Sequence, residues 1–445
     1  MQYTNDLVLL SARNGARPDE CRYRLGWRGY FFVVIALSHC CEPFVEYAAT
    51  SYAARNCTIK TVKNNAAAHV AWQKTLGILI GAWIFISAIL GMSAASGASI
   101  SWWACIHTFT LGALTSAVIG YSTHFTATLT RGPLPALRPL AAKILMLQGC
   151  LMVMLLRPGW TTAHTVAACL AAAVILWHAA TLTRMHQRAL ANHLATTSWA
   201  YVVACLLLAL AIGLAIAAQF TDRHDALVAA HARAAVWGFG WTVLMGTVIT
   251  LLPTVAGVPT VLQFRDARVL AAHGLAVAVT AACIAAGWSR TGGLILVGLA
   301  LTSAWVLLPI IAELTRPVAS LNAATVHITC GTLWVLACMG RDAVALIFGS
   351  TERLSTAGGL LALIGAGFAQ SILGATSQLI PVLTGNAGAR DRLAAGLYFR
   401  AVLLNLGGCV AVLLSPVVGA VCMTAAVVWH VSTLLISMTK VKRSI

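Results

Sequence analysis

Charge is scarce in this chain. Asp, Glu, Lys and Arg make up 9% of its 445 residues, where a soluble domain carries about 25%. Acid is scarcer still: 12 Asp+Glu stand against 29 Lys+Arg, a formal net charge of +17. With 60% hydrophobic residues and a mean hydropathy of +0.85, this composition excludes a soluble globular fold. The basic excess does not point to nucleic acid either. It sits between apolar runs, where it orients membrane spans, and no nucleic-acid module accompanies it.

Several motifs are missing as well. No CxxC or CxxCH occurs among the 13 cysteines, so covalent c-type haem attachment and zinc ribbons are excluded. The cysteines mostly stand singly in apolar runs (Cys105, Cys150, Cys169, Cys205, Cys283, Cys409, Cys422), as small residues that let helices approach. The pair Cys40-Cys41 has no role assigned by its surroundings. There is no P-loop, GxSxG or HExxH, and no HH or HxH pair. The first 29 residues are polar and basic, without a small-residue cleavage site for a signal peptide.

What is present is a series of long apolar runs. A spanning helix needs about 20 mostly apolar residues. Runs near 75–95, 102–129, 139–156, 160–181, 198–219, 229–252, 267–288, 291–313, 319–340, 357–383, 397–414 and 417–438 meet that need. The expectation is an all-α polytopic bundle of twelve spans. It becomes thirteen if the segment near 30–48 also crosses, but Glu42, Pro43 and Glu46 interrupt that segment and buried carboxylates are costly. It is read as interfacial, within a basic cytoplasmic tail covering 1–74; residues 439–445 form a second basic tail.

Loop charge gives the orientation. One set of loops carries 18 Lys+Arg, counting Lys143 and Arg268 just inside the following helices, and the opposite set carries six: Arg157, Arg223, Arg233, Arg290, Arg341 and Arg353. Arg13, Arg17, Arg22, Arg24 and Arg28 of the N-terminal tail make the split 23 to 6 when both termini are cytoplasmic.

Three segments look alike: one from His107 through Gly120 to Gly132, one from His231 through Gly246 to Gly257, and one from Leu361 through Gly374 to Gly385. Aligning Gly120, Gly246 and Gly374 gives spacings of 126 and 128, and Pro253 then matches Pro381. Each segment is the second helix of a four-helix unit, so the bundle is expected as three units near 75–181, 198–313 and 319–438.

Histidine is the polar residue of interest in the spans, since an ionisable group in a membrane is a functional hypothesis by default. The plainer alternative is a neutral imidazole hydrogen-bonded to Ser, Thr or backbone on a neighbouring helix. His107 and His231 open the second helices of the first two units at similar depth, and such a pair can ligate haem iron or copper. Thr108, Thr110, Trp237 and Trp241 are the expected supporting residues. His164, at the same side, and mid-membrane His327 are weaker candidates. So is His124, about 25 Å beyond His107 along the helix axis and unable to share a mononuclear site with it.

Three four-helix units with histidines on second helices resemble haem-copper oxidase subunit I. His107-Thr108 is similar to the low-spin haem ligand of the first unit, and His231, closing in LeuLeuPro, to the copper-ligand histidine of the second. The stretch HARAAVWGFG also resembles the NnrS family of haem- and copper-containing membrane proteins tied to nitric oxide stress. The combined segments look most similar to actinobacterial members of this superfamily, some associated with multicopper oxidase domains. The resemblance implies haem or copper, a redox or multicopper oxidase partner, and the bacterial cytoplasmic membrane. It departs from the oxidases in the third unit, where Gly359 and Leu361 stand in place of HxH. An oxygen-reducing bimetallic centre is therefore not expected. The expected function is electron transfer, metal handling or a nitric oxide response with one haem or copper. The alternatives are a cofactor-free membrane scaffold and a small-solute transporter.

Overall fold

The structure is a computed structural model and describes residues 42–134, 136–156, 162–190, 195–259, 267–351, 354 and 356–439. The chain divides into two units, Met1–Ala68 and His69–Ile445. In the first, the described residues, from Glu42 on, are helical. Residues 30–41, Cys40-Cys41, Arg157, Arg353 and the 440–445 tail lie outside the described residues.

Among the described residues there are thirteen helices and no strand. They are α1 (Glu42–Ala95), α2 (Trp102–Thr130), α3 (Leu137–Leu156), α4 (Thr162–Gln187), α5 (Ala195–Ala217), α6 (His224–Ala256) and α7 (Ala267–Ala285). They continue with α8 (Ser289–Leu314), α9 (Ala323–Ile347), α10 (Ala357–Thr384), α11 (Ala387–Ala394), α12 (Leu397–Leu413) and α13 (Pro416–Thr439). Eleven are long and apolar enough to cross a membrane, and a twelfth span results if α11 and α12, bent by 44°, count as one. The chain is an all-α, multi-pass membrane bundle. Leu145, Leu275, Leu301 and Leu308, all more than 60% exposed, lie on its outer surface, where lipid would cover them. Helix α1 starts at Glu42, so the stretch 49–74, expected as tail, is helical.

Each of the three related second helices contains a π-helical segment: Thr108–Leu114 in α2, Ala234–Gly240 in α6 and Ala362–Ala369 in α10. Their first residues are separated by 126 and 128 positions, the same spacings that align Gly120, Gly246 and Gly374. A Cβ on those glycines would run into Leu76 of α1, Ala200 of α5 and His327 of α9 respectively. In each case the partner is the helix before; Gly246 and Gly374 also lie close to its backbone at the Thr197 and Ala324 carbonyls, while Gly120 makes room for the Leu76 side chain.

The helix ends repeat too. Arg131 (φ 52°), Gly257 (φ 70°) and Gly385 (φ 63°) take the left-handed conformation that ends a helix. The next N–H, of Gly132, Val258 and Asn386, donates to the carbonyl of Ala127, Pro253 and Pro381. The closing residue of the first segment is therefore Arg131, not Gly132.

Candidate metal site

Helix α2 opens with Ser101, whose side chain accepts from the Trp103 N–H and caps the first turn. One turn later stands His107, the last residue before the π segment. Its Nδ1 lies 2.8 Å from the Trp103 carbonyl, and its ring stacks on Trp103 with centroids 4.2 Å apart. In α6, His231 precedes the π segment by three residues, and its Nδ1 lies 2.8 Å from the Ala211 carbonyl on α5. A carbonyl only accepts, so both Nδ1 atoms carry the proton and donate it. Each neutral ring then has its lone pair on Nε2, the form that ligates metal.

The two rings meet. Their centroids are 6.3 Å apart and their planes differ by 4°. That is too far for direct stacking contact. Two bonds of about 2.0–2.1 Å to a shared ion, with the rings lying beyond, place imidazole centroids about 6 Å apart. Both residues are half-buried. They are not repeat mates: the spacing of 126 matches His107 with Arg233 and His231 with Cys105. No group of three His, Cys, Asp or Glu poised around one point occurs among the described residues, so the candidate site has two protein donors. Two cavities of about 90 and 40 Å³ lie elsewhere and are not lined by His107 or His231.

Most other histidines are engaged elsewhere, while buried His430 has no hydrogen-bond partner among the described residues. Buried His164 lies 3.2 Å from the Met154 carbonyl through Nε2, and buried His327 lies 2.9 Å from the Leu397 carbonyl through Nε2. His178 pairs with Ser122 and His273 with Thr242, at 2.9 and 3.0 Å. His124 stands beside Phe125, 17 residues beyond His107. None of them is brought to the pair. The expected supporting residues do not serve it either. Thr110 donates to Ile106 on its own helix, Trp237 to Asp342 and Trp241 to Ser303, while the Thr108 hydroxyl is buried without a hydrogen-bond partner among the described residues. The supports are two backbone carbonyls, which residue type does not announce.

Sequence reasoning missed the ion pair beside the site. Arg233, counted above as a loop charge, is 1% exposed inside α6. Its guanidinium grips Asp342 of α9 in a fork, Nη2 to Oδ1 at 2.7 Å and Nε to Oδ2 at 3.2 Å. It also donates to the Thr351 and Ala229 carbonyls, and Trp237 Nε1 donates to Asp342 Oδ2 at 2.8 Å. The network ties α6 to α9 within one turn of His231. The available signal was Asp342 itself, the one acid within the 319–347 stretch.

In the third repeat, the space a side chain at Gly359 would need is taken by the Arg341 guanidinium. A histidine there would have to displace it. The chain matches no family model and no curated protein.

Proposed function

We propose that this membrane protein holds a copper ion between His107 and His231. The observation that carries the reading is the parallel imidazole pair, with each Nδ1 committed to a carbonyl and each Nε2 left as donor. Imidazole nitrogen suits copper. Two donors leave the rest of the coordination sphere open, which suits an ion passed on rather than one locked into a structural role. The function is accordingly metal handling, or one-electron relay at that ion, and not oxygen reduction. The resemblance to haem-copper oxidases and NnrS proteins supplies the choice of copper over other imidazole-binding metals.

The positive-inside bias puts the starts of α2 and α6 on the outer side of a bacterial cytoplasmic membrane, with both termini inside. A redox or multicopper oxidase partner would meet the ion on that outer side. Titration of the purified protein with monovalent copper against a chromophoric chelator tests the reading. One ion per chain is expected, weakened more than about tenfold by either His107→Ala or His231→Ala. Copper binding untouched by both variants would overturn it. Haem is the second reading, because two parallel imidazoles are also an axial pair. An oxidised-minus-reduced spectrum with a Soret band lost in His107→Ala would select haem over copper.

A further inference from the structure

The 90 Å³ cavity lies among the three second helices. On α2 it is lined at positions 114, 117, 118, 121, 122 and 125, one face of the helix at spacings of three and four. Adding 126 to each gives its lining positions on α6, and adding a further 128 gives those on α10, without exception. The cavity therefore sits on the pseudo-threefold axis that the repeat creates. Its first tier, Leu114, Gly240 and Phe368, is plugged: the Phe368 ring fills the space a Cβ on Gly240 would need, at 2.9 Å. The lower tiers include the small side chains of Ala117, Ser371 and Ala375.

The wall is apolar with two uncommitted groups. Tyr201 reaches in from α5 and pairs with Thr247 at 3.1 Å, and Ser122 is held by His178. Tyr121, in the tier of Thr247 and Ala375, and Ser371, in the tier of Ala117 and Val243, are both buried, and neither hydroxyl has a hydrogen-bond partner among the described residues. A buried hydroxyl left unmet is costly, and a ligand acceptor would relieve it. Apolar cavities of this order stay dry and take up xenon or small apolar molecules.

We infer that the axial cavity is a binding site for a small uncharged molecule of a few heavy atoms, apolar except for one acceptor that takes a hydrogen bond from the Tyr121 or Ser371 hydroxyl. It is separate from the His107–His231 pair, which lines no part of it. Two probes test this: xenon, and carbon monoxide as the smallest molecule with an acceptor atom. Crystals pressurised with xenon should show one xenon on the axis. Ala375→Phe or Ala117→Leu should remove it, with melting temperature and chromatographic profile retained as the check on folding. No xenon on the axis in the wild-type protein overturns the site. The infrared stretch of carbon monoxide should carry a component shifted by a hydroxyl, lost in Tyr121→Phe or in Ser371→Ala while xenon still binds. A spectrum unchanged in both variants overturns the hydrogen bond. Repeating it in His107→Ala removes metal-bound carbon monoxide, so that failure of the copper reading and failure of this one are told apart.

Discussion

At the scale of single residues, the interior is governed by who satisfies whom. Most histidines of the spans answer to a hydroxyl or a carbonyl on another helix, as the plainer alternative holds. His107 and His231 differ because their bonds fall on Nδ1 and their rings stand parallel, 6.3 Å apart. The sequence makes both visible as ionisable residues in a membrane, but their meeting is a tertiary fact that no spacing states. Asp342 was harder to see, because it follows Arg341, which counts as loop charge, just beyond the apolar run 319–340. Asp342→Asn should destabilise the protein by about 3–5 kcal/mol, since it strands the Arg233 guanidinium in the core. Replacing both partners, Arg233→Met with Asp342→Leu, should cost less than either single change. Thermal unfolding in detergent measures all three, and a double variant as unstable as the sum of the singles would refute the account.

Among the elements, the second helices share one plan: α-helical first turns, a π segment, a glycine crossing and a left-handed stop. The crossing and the stop were legible, because both need glycine and glycine is printed in the sequence at matched spacing. The first unit hid its stop, since Arg131 occupies the left-handed position without being glycine. A non-glycine residue there bears strain of about 1–2 kcal/mol, so Arg131→Gly should raise stability by about 0.5–1 kcal/mol after the entropy of glycine is counted. Gly257→Ala and Gly385→Ala should each lower it by a similar amount; equal melting temperatures for all three variants would contradict this. The π segments were not legible. No proline marks them, and their bonding is a matter of backbone partners, as where Thr115 directs both its N–H and its hydroxyl to the Thr110 carbonyl. Gly374→Leu drives a side chain into His327 and the α9 backbone. It should abolish folding, read as loss of the monodisperse chromatographic peak.

At the scale of the whole molecule, hydropathy located the spans well, because burial in lipid is a bulk property that composition records. Charge was a blunter guide. Lys143 and Arg400, assigned to the basic side, are 1% and 0% exposed within the bundle, as Arg233 is on the opposite side. Lys143 rests against Thr181 and the Trp177 ring, and Arg400 caps the Leu393 and Ala395 carbonyls and covers Trp429. Removing these three leaves the excess on the same side. A green fluorescent protein fused to the C-terminus should therefore fluoresce, while alkaline phosphatase fused there should be inactive. The reverse pattern would invert the orientation and place the histidine pair on the inner side. The π segments bear on the whole bundle in one more way. Each separates two faces of its helix: the one that presents a histidine or its counterpart, and the one that walls the axis. Deleting a single residue within a segment would wind it back to a plain helix, and six residues at about 100° each turn nearly as far as seven in the wider π turn, so the axial wall would keep its aim. The same deletion in the α-helical stretch beyond a segment would swing everything after it by about 100°. The three segments thus each take up one residue of slack between the metal end and the axial face.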